Sequence, residues 1–151
     1  YPGLPVDGVV SQEGRDNYER LAAQCVLPTA IEGYAREAFK QTFFAQDPTT
    51  NGPWLRATQD EAVPVMPASM PVFLAQGTAD AVVLPGPNAL LQETWCKAGS
   101  TLTALWMGGV NHNDAAIDAG PSATAWIADR FAGRPAVRTC DVPPPVAASA
   151  G

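Results

Sequence analysis

Asp80 and His112 are the residues whose types and placement could do chemistry together. His112 is the only histidine in the chain and stands in G-G-V-N-H-N-D (108–114), while Asp80 stands in G-T-A-D-A-V-V (77–83). A carboxylate that orients an imidazole fixes its tautomer and stabilises the imidazolium. The imidazole can then take a proton from a hydroxyl nucleophile and hand it to a leaving group. Taken alone, Asp80 reads as a turn residue that satisfies backbone N–H groups, and a lone histidine reads as structural. Asp114 and Asp118 compete as partners of His112. Asp114 is so near in sequence that its carboxylate is expected to point elsewhere, and it ranks second.

The elements around the two residues favour the pairing. PVFLAQ (71–76) and TLTALWM (101–107) are short apolar runs, and LPGPNALLQETWCKAG (84–99) between them has helical spacing. Strand, crossover helix and second strand make a parallel βαβ unit. Both strands of such a unit end on one edge of the sheet, which is where open α/β sheets place their ligands. Asp80 and His112 each follow a strand end by a few residues, so both loops open on that edge.

The remaining segments read as follows. Residues 1–12 form a Pro- and Gly-rich loop. Ser11 caps a helix over 13–24 with Tyr18, Leu21, Ala22 and Cys25 on one face. A longer helix from Pro28 or Thr29 carries Ile31, Tyr34, Ala35, Ala38, Phe39 and Phe43 at i, i+3, i+4 spacing. That face is either ordinary core or the lining of an acyl pocket. Residues 47–71, with five prolines, form a connector long enough to mark a boundary. Asn113–Gly120 reads as a loop. Pro121 then suits the first turn of a helix with Ala123, Trp126, Ile127 and Phe131 facing inward, closed by Gly133. DVPPPVAASAG (141–151) has little to bury and is expected to be disordered. The organisation is therefore a helical segment at 1–50, a connector at 51–70, an α/β core at 71–140 and a tail at 141–151. Two parallel strands are few for a sheet type that is normally buried on both faces.

Composition bounds the partners. Of 151 residues, 46% are hydrophobic and 16% charged, with a formal net charge of −6, so the chain can bury a core but offers no basic footprint for nucleic acid. No apolar run approaches the roughly 20 residues needed to span a bilayer. The sequence opens on Tyr1 and its first methionine is Met66, so it reads as starting at a cut end rather than at a translation start, which leaves room for a secretion signal upstream. The three cysteines, 25, 96 and 140, form no C-x-x-C. They read either as buried thiols or as one structural disulfide with a cysteine left over, and a Cys96–Cys140 bond would tie the C-terminal segment to the core. A nucleophile is missing from the pattern: none of Ser11, Ser69, Ser100, Ser122 and Ser149 sits in G-x-S-x-G.

The motifs Q-G-T-A-D-A-V-V-L-P (76–85), W-C-K-A-G (95–99), G-x-N-H (109–112) and A-W-I-A-D-R-F-A-G-R-P-A (125–136), with Cys140, resemble the C-terminal half of secreted α/β-hydrolase lipases. The nearest group is the secretory lipase family that includes Candida antarctica lipase A and actinobacterial homologues. D-P-x-x-N-G-P-W (47–54) also fits. The resemblance implies an α/β-hydrolase fold whose C-terminal half follows a helical lid within residues 1–50. It implies Asp80 as triad acid, His112 as triad base, a Cys96–Cys140 disulfide, and a partner for Cys25 in the missing N-terminal half. It implies a secreted serine esterase or lipase that acts on carboxylic esters through an acyl-enzyme, without metal or organic cofactor, with an ester or lipid as substrate and a lipid interface as a possible partner. The nucleophile and oxyanion hole would lie outside this stretch, leaving it inactive by itself. A serine peptidase of the same superfamily and a non-catalytic, degenerate hydrolase module are the alternatives.

Overall fold

The computed structural model describes residues 1, 3–24 and 42–149. Cys25 and the helix expected from residue 28 onward fall outside them, apart from Phe43. The chain divides into two compact units, Tyr1–Val63 and Pro64–Gly151.

In the first unit, α1 (Gln12–Ala22) starts where the cap predicts. The Gly14 N–H donates to Ser11 Oγ at 2.9 Å, and the Ser11 hydroxyl donates to the Thr42 carbonyl at 2.6 Å. A short extended piece around Phe44 bridges Val10 antiparallel. Phe43 therefore belongs to extended chain rather than to a helix. It runs so near α1 that a Cβ on Gly14 would sit 2.5 Å from the Phe43 carbonyl oxygen. Tyr18 and Ala22, expected to face inward, are exposed. The helix is held by its first turn, where Ser11 caps it and Arg15 donates to the Val10 carbonyl, more than by an apolar stripe. A second helix, α2 (Gly52–Asp60), stands inside the stretch that reads as connector. Asn51 caps it by accepting from the Trp54 N–H, and Pro53 suits its first turn. Trp54 donates its indole N–H to the Pro5 carbonyl and meets Phe44 edge-on at 5.7 Å.

In the second unit, β1 (Val72–Gly77) and β2 (Leu102–Met107) pair in parallel, Val72 opposite Leu102 through Gly77 opposite Met107. The crossover helix α3 (Pro85–Lys97) has no side-chain cap. Its two early prolines reduce the number of N–H groups that need one. Ala89, Gln92 and Trp95 are its buried residues, and α3 packs on both strands while the terminal helix packs on β1. This is the expected α/β architecture: a parallel strand pair flanked by helices, as in a part of an α/β-hydrolase fold.

The terminal helix α4 runs from His112 to Phe131 and takes in the stretch 113–120 that reads as loop. Its start is set by Asn111, whose Oδ1 accepts from the N–H groups of Asn113 and Asp114 at 3.0 and 3.1 Å. Pro121 is tolerated inside the helix although it gives up one i→i−4 hydrogen bond. Trp126 lies against Phe73 and donates to the Thr103 hydroxyl at 3.0 Å. Ile127 and Phe131, expected to face inward, are exposed. Gly133 closes the helix at φ +71°, with the Arg134 N–H returning to the Asp129 carbonyl.

The segment after α4 closes the free side of β2. The Thr139 N–H donates to the Leu102 carbonyl at 3.0 Å, and the Thr139 hydroxyl accepts from the Ala104 N–H at 2.8 Å. Cys140 is bonded to Cys96 across a sequence separation of 44. In the loop-entropy model that closure contributes about 4 kcal/mol. Arg138 donates to the carbonyls of Ser100 and Cys96, near the end of α3. Residues 141–149, which read as a disordered tail, lie along α3. Gln92 donates to the Val142 carbonyl, and the Ser149 N–H donates to the Gly86 carbonyl. These bonds use backbone groups, to which composition gives no clue.

Candidate active site

Two loops meet where the parallel strands end. One, residues 78–84, leaves β1; the other, residues 108–111, leaves β2. They are joined by main-chain bonds. The Thr78 N–H donates to the Met107 carbonyl at 2.9 Å, and the Ala79 N–H donates to the Val110 carbonyl at 3.1 Å. The Thr78 hydroxyl accepts from the Gly109 N–H at 2.8 Å. Gly109 turns at φ +73°, a conformation that side chains disfavour. Gly77 lets the second loop approach, since a Cβ there would lie 2.2 Å from the Val110 oxygen.

This seam brings Asp80 and His112 together. His112 Nδ1 and Asp80 Oδ2 are 3.0 Å apart. The other carboxylate oxygen accepts from the Val82 and Val83 N–H groups at 2.9 and 2.8 Å. The Asp80 side chain is 5% exposed and that of His112 45%. The acid is thus enclosed while the base keeps an open side. Burial pushes the Asp80 carboxyl up, but the hydrogen bonds from His112, Val82 and Val83 and the charge of the imidazolium outweigh it. Its pKa settles below the ordinary aspartate value. An ionised carboxylate can only accept, so Nδ1 carries the proton toward Asp80, and in the neutral form of the ring the lone pair is on Nε2. Such an imidazole can serve as a general base toward a hydroxyl presented on its open side.

Asp114 does not share this role. Its carboxylate accepts from the Asn111 amide at 2.8 Å, and Asp118 is exposed farther along α4. Among the described residues the hydrogen-bond partner of the imidazole is Asp80, and no group of His, Cys, Asp and Glu side chains could hold a metal ion. Sequence reasoning missed three residues that shape the site: Gly77, Thr78 and Asn111. Asn111 had a readable signal, because an Asn one position before a helix is a standard cap. Gly77 and Thr78 act through contacts with the other loop and had none.

The secretory lipase family model matches residues 5–139, most of the chain. The chain belongs to the secretory lipase family. That family lies within the α/β-hydrolase superfamily, and its members are secreted, as this chain is. Lipase 5 of Candida albicans is 35% identical to it over 72 residues, which is 47% of this chain and 16% of that lipase. This member of the family thus spans about a sixth of the length of that relative. No solved structure matches it.

Proposed function

We propose that Asp80 and His112 are the acid and base of a serine hydrolase triad that cleaves carboxylic esters, with its nucleophile elsewhere in the mature protein. The observation that carries this reading is the 3.0 Å bond between His112 Nδ1 and a buried carboxylate at the ends of adjacent parallel strands. The chain order also fits: α/β-hydrolases run Ser, then acid, then His. His112 Nε2 would take the proton of the serine hydroxyl as it attacks the ester carbonyl. The proton then goes to the departing alkoxide, leaving an acyl-enzyme. In the second half His112 deprotonates water, which releases the acid and restores the serine. Asp80 holds the tautomer and stabilises the imidazolium without taking the proton.

The same reading makes this chain the C-terminal part of a lipase of the Candida antarctica lipase A type. Residues 71–140 then belong to the hydrolase core, 1–50 to its lid, and 51–70 to the link between them. The half-exposed strand residues Val72–Ala75 support it, since parallel sheets are ordinarily covered on both faces. An ester or lipid is the substrate. The test is ester turnover by the mature secreted enzyme with Asp80→Asn or His112→Ala, each expected to lose activity by orders of magnitude. Wild-type turnover in both would overturn the assignment.

A further inference from the structure

We infer that Gln76 is a positioning residue for the triad acid, acting through the turn that holds Asp80. The inference rests on the triad reading above. Gln76 lies at the end of β1, and its side chain is not a lipid or ester contact, for the residue is 3% exposed. An amide buried this deeply must spend its donors and acceptor on the protein, and it does so at three points. Its Nε2 donates to the carbonyls of Gly77 at 2.8 Å and Val83 at 3.1 Å. Its Oε1 accepts from the Asn88 side-chain amide on α3. Both carbonyls can only accept, so the nitrogen must face them and the orientation of the amide is fixed.

Val83 is therefore held from two sides. Its N–H points at Asp80 Oδ1 and its carbonyl points at Gln76. The turn from Asp80 to Val83 has one end sewn to the His112 loop through Ala79 and Val110, and its other end tied to β1 and α3 through Gln76 and Asn88. Val82, Val83 and Leu84 are each about half-exposed or more, so packing does little to hold this turn. Hydrogen bonding must fix it, and Gln76 supplies the bond at its far end. Loss of that bond would let Val83 rotate and its N–H leave the carboxylate. The carboxylate could then turn away from His112 Nδ1.

Gln76→Leu keeps the volume and removes the bonds. In the mature secreted enzyme, with p-nitrophenyl butyrate, we expect kcat to fall roughly 10- to 100-fold with KM within about twofold, since Gln76 touches no substrate. The far-downfield proton resonance of the Asp80–His112 hydrogen bond should weaken or shift. Asn88→Ala, which frees the amide on its other side, should show a smaller loss of the same kind, and it carries the test if Gln76→Leu does not fold. A double-variant cycle separates positioning from general weakening. In an Asp80→Asn background the Gln76→Leu substitution should cost nothing further, because the group it acts through is gone. If Asp80→Asn is inactive but Gln76→Leu turns over normally, or the two losses multiply, the triad stands and the role of Gln76 is overturned. If Asp80→Asn itself keeps wild-type turnover, the triad reading falls and the role of Gln76 falls with it.

Discussion

Gly77 and Val110 approach so closely that the Val110 carbonyl oxygen lies 2.2 Å from where a Cβ on Gly77 would stand. That contact sets the distance between the loop carrying Asp80 and the loop carrying His112. The atom in the way is backbone, so it cannot swing aside as a flexible side chain could. Gly77→Ala is expected to destabilise the protein by about 1–3 kcal/mol through overpacking. It should also part the Ala79–Val110 bond and lower ester turnover more than the stability change explains. Urea unfolding and kcat/KM measured on the same samples test both halves. A Gly77→Ala protein with wild-type stability and turnover would show that the seam between the loops is not what holds the pair.

Asn111 governs where His112 begins its helix. Removal of the cap with Asn111→Ala should cost about 1 kcal/mol. It should also lower kcat, because the imidazole sits on the first helical residue and frays with it. Asn111→Ser restores a cap oxygen and should recover most of both. Recovery of stability without recovery of kcat would mean that the Asn111–Asp114 contact, not the cap, orients the base.

Asp80 gives the site a defined acid response. Its folded pKa lies below its unfolded value, so the unfolded chain takes up the proton first. Its contribution to stability is complete above the unfolded value of about 3.9 and is lost as pH falls through the lower folded value. Wild type should therefore exceed Asp80→Asn in stability at about pH 4 and above, and the margin should shrink at more acid pH. Urea midpoints across a pH series measure this. A margin unchanged down to pH 2 would contradict the hydrogen-bonded, ionised state of the carboxylate.

Much of the site was legible because its elements follow strong local rules. The two apolar runs and the spacing of 84–99 identify β1, β2 and α3, and the parallel βαβ unit they form puts Asp80 and His112 on one edge. Pro121 is a stronger sequence signal for a helix start than Asn111, yet α4 begins at His112 behind the Asn111 cap and carries Pro121 inside it. The helix α2 hid inside a proline-rich stretch for the same reason: Asn51 starts it, and Pro53 favours rather than breaks its first turn. Periodicity placed Trp126 against β1 but also predicted burial for Ile127 and Phe131, since spacing alone does not show how wide a helix face is covered. Gln76 stands in the quoted motif with nothing to distinguish it. Its role comes from a carbonyl seven residues away and an amide twelve residues away.

The most direct measurement is the turnover of a soluble ester such as p-nitrophenyl butyrate by the mature secreted enzyme and its Asp80→Asn, His112→Ala and doubly substituted forms. Members of one catalytic unit lose activity together rather than in proportion. Each single variant should fall by about 10⁴-fold, and the double variant should be scarcely worse than either. Wild-type turnover in the single variants, or losses that multiply in the double, would contradict the reading of Asp80 and His112 as one acid–base pair.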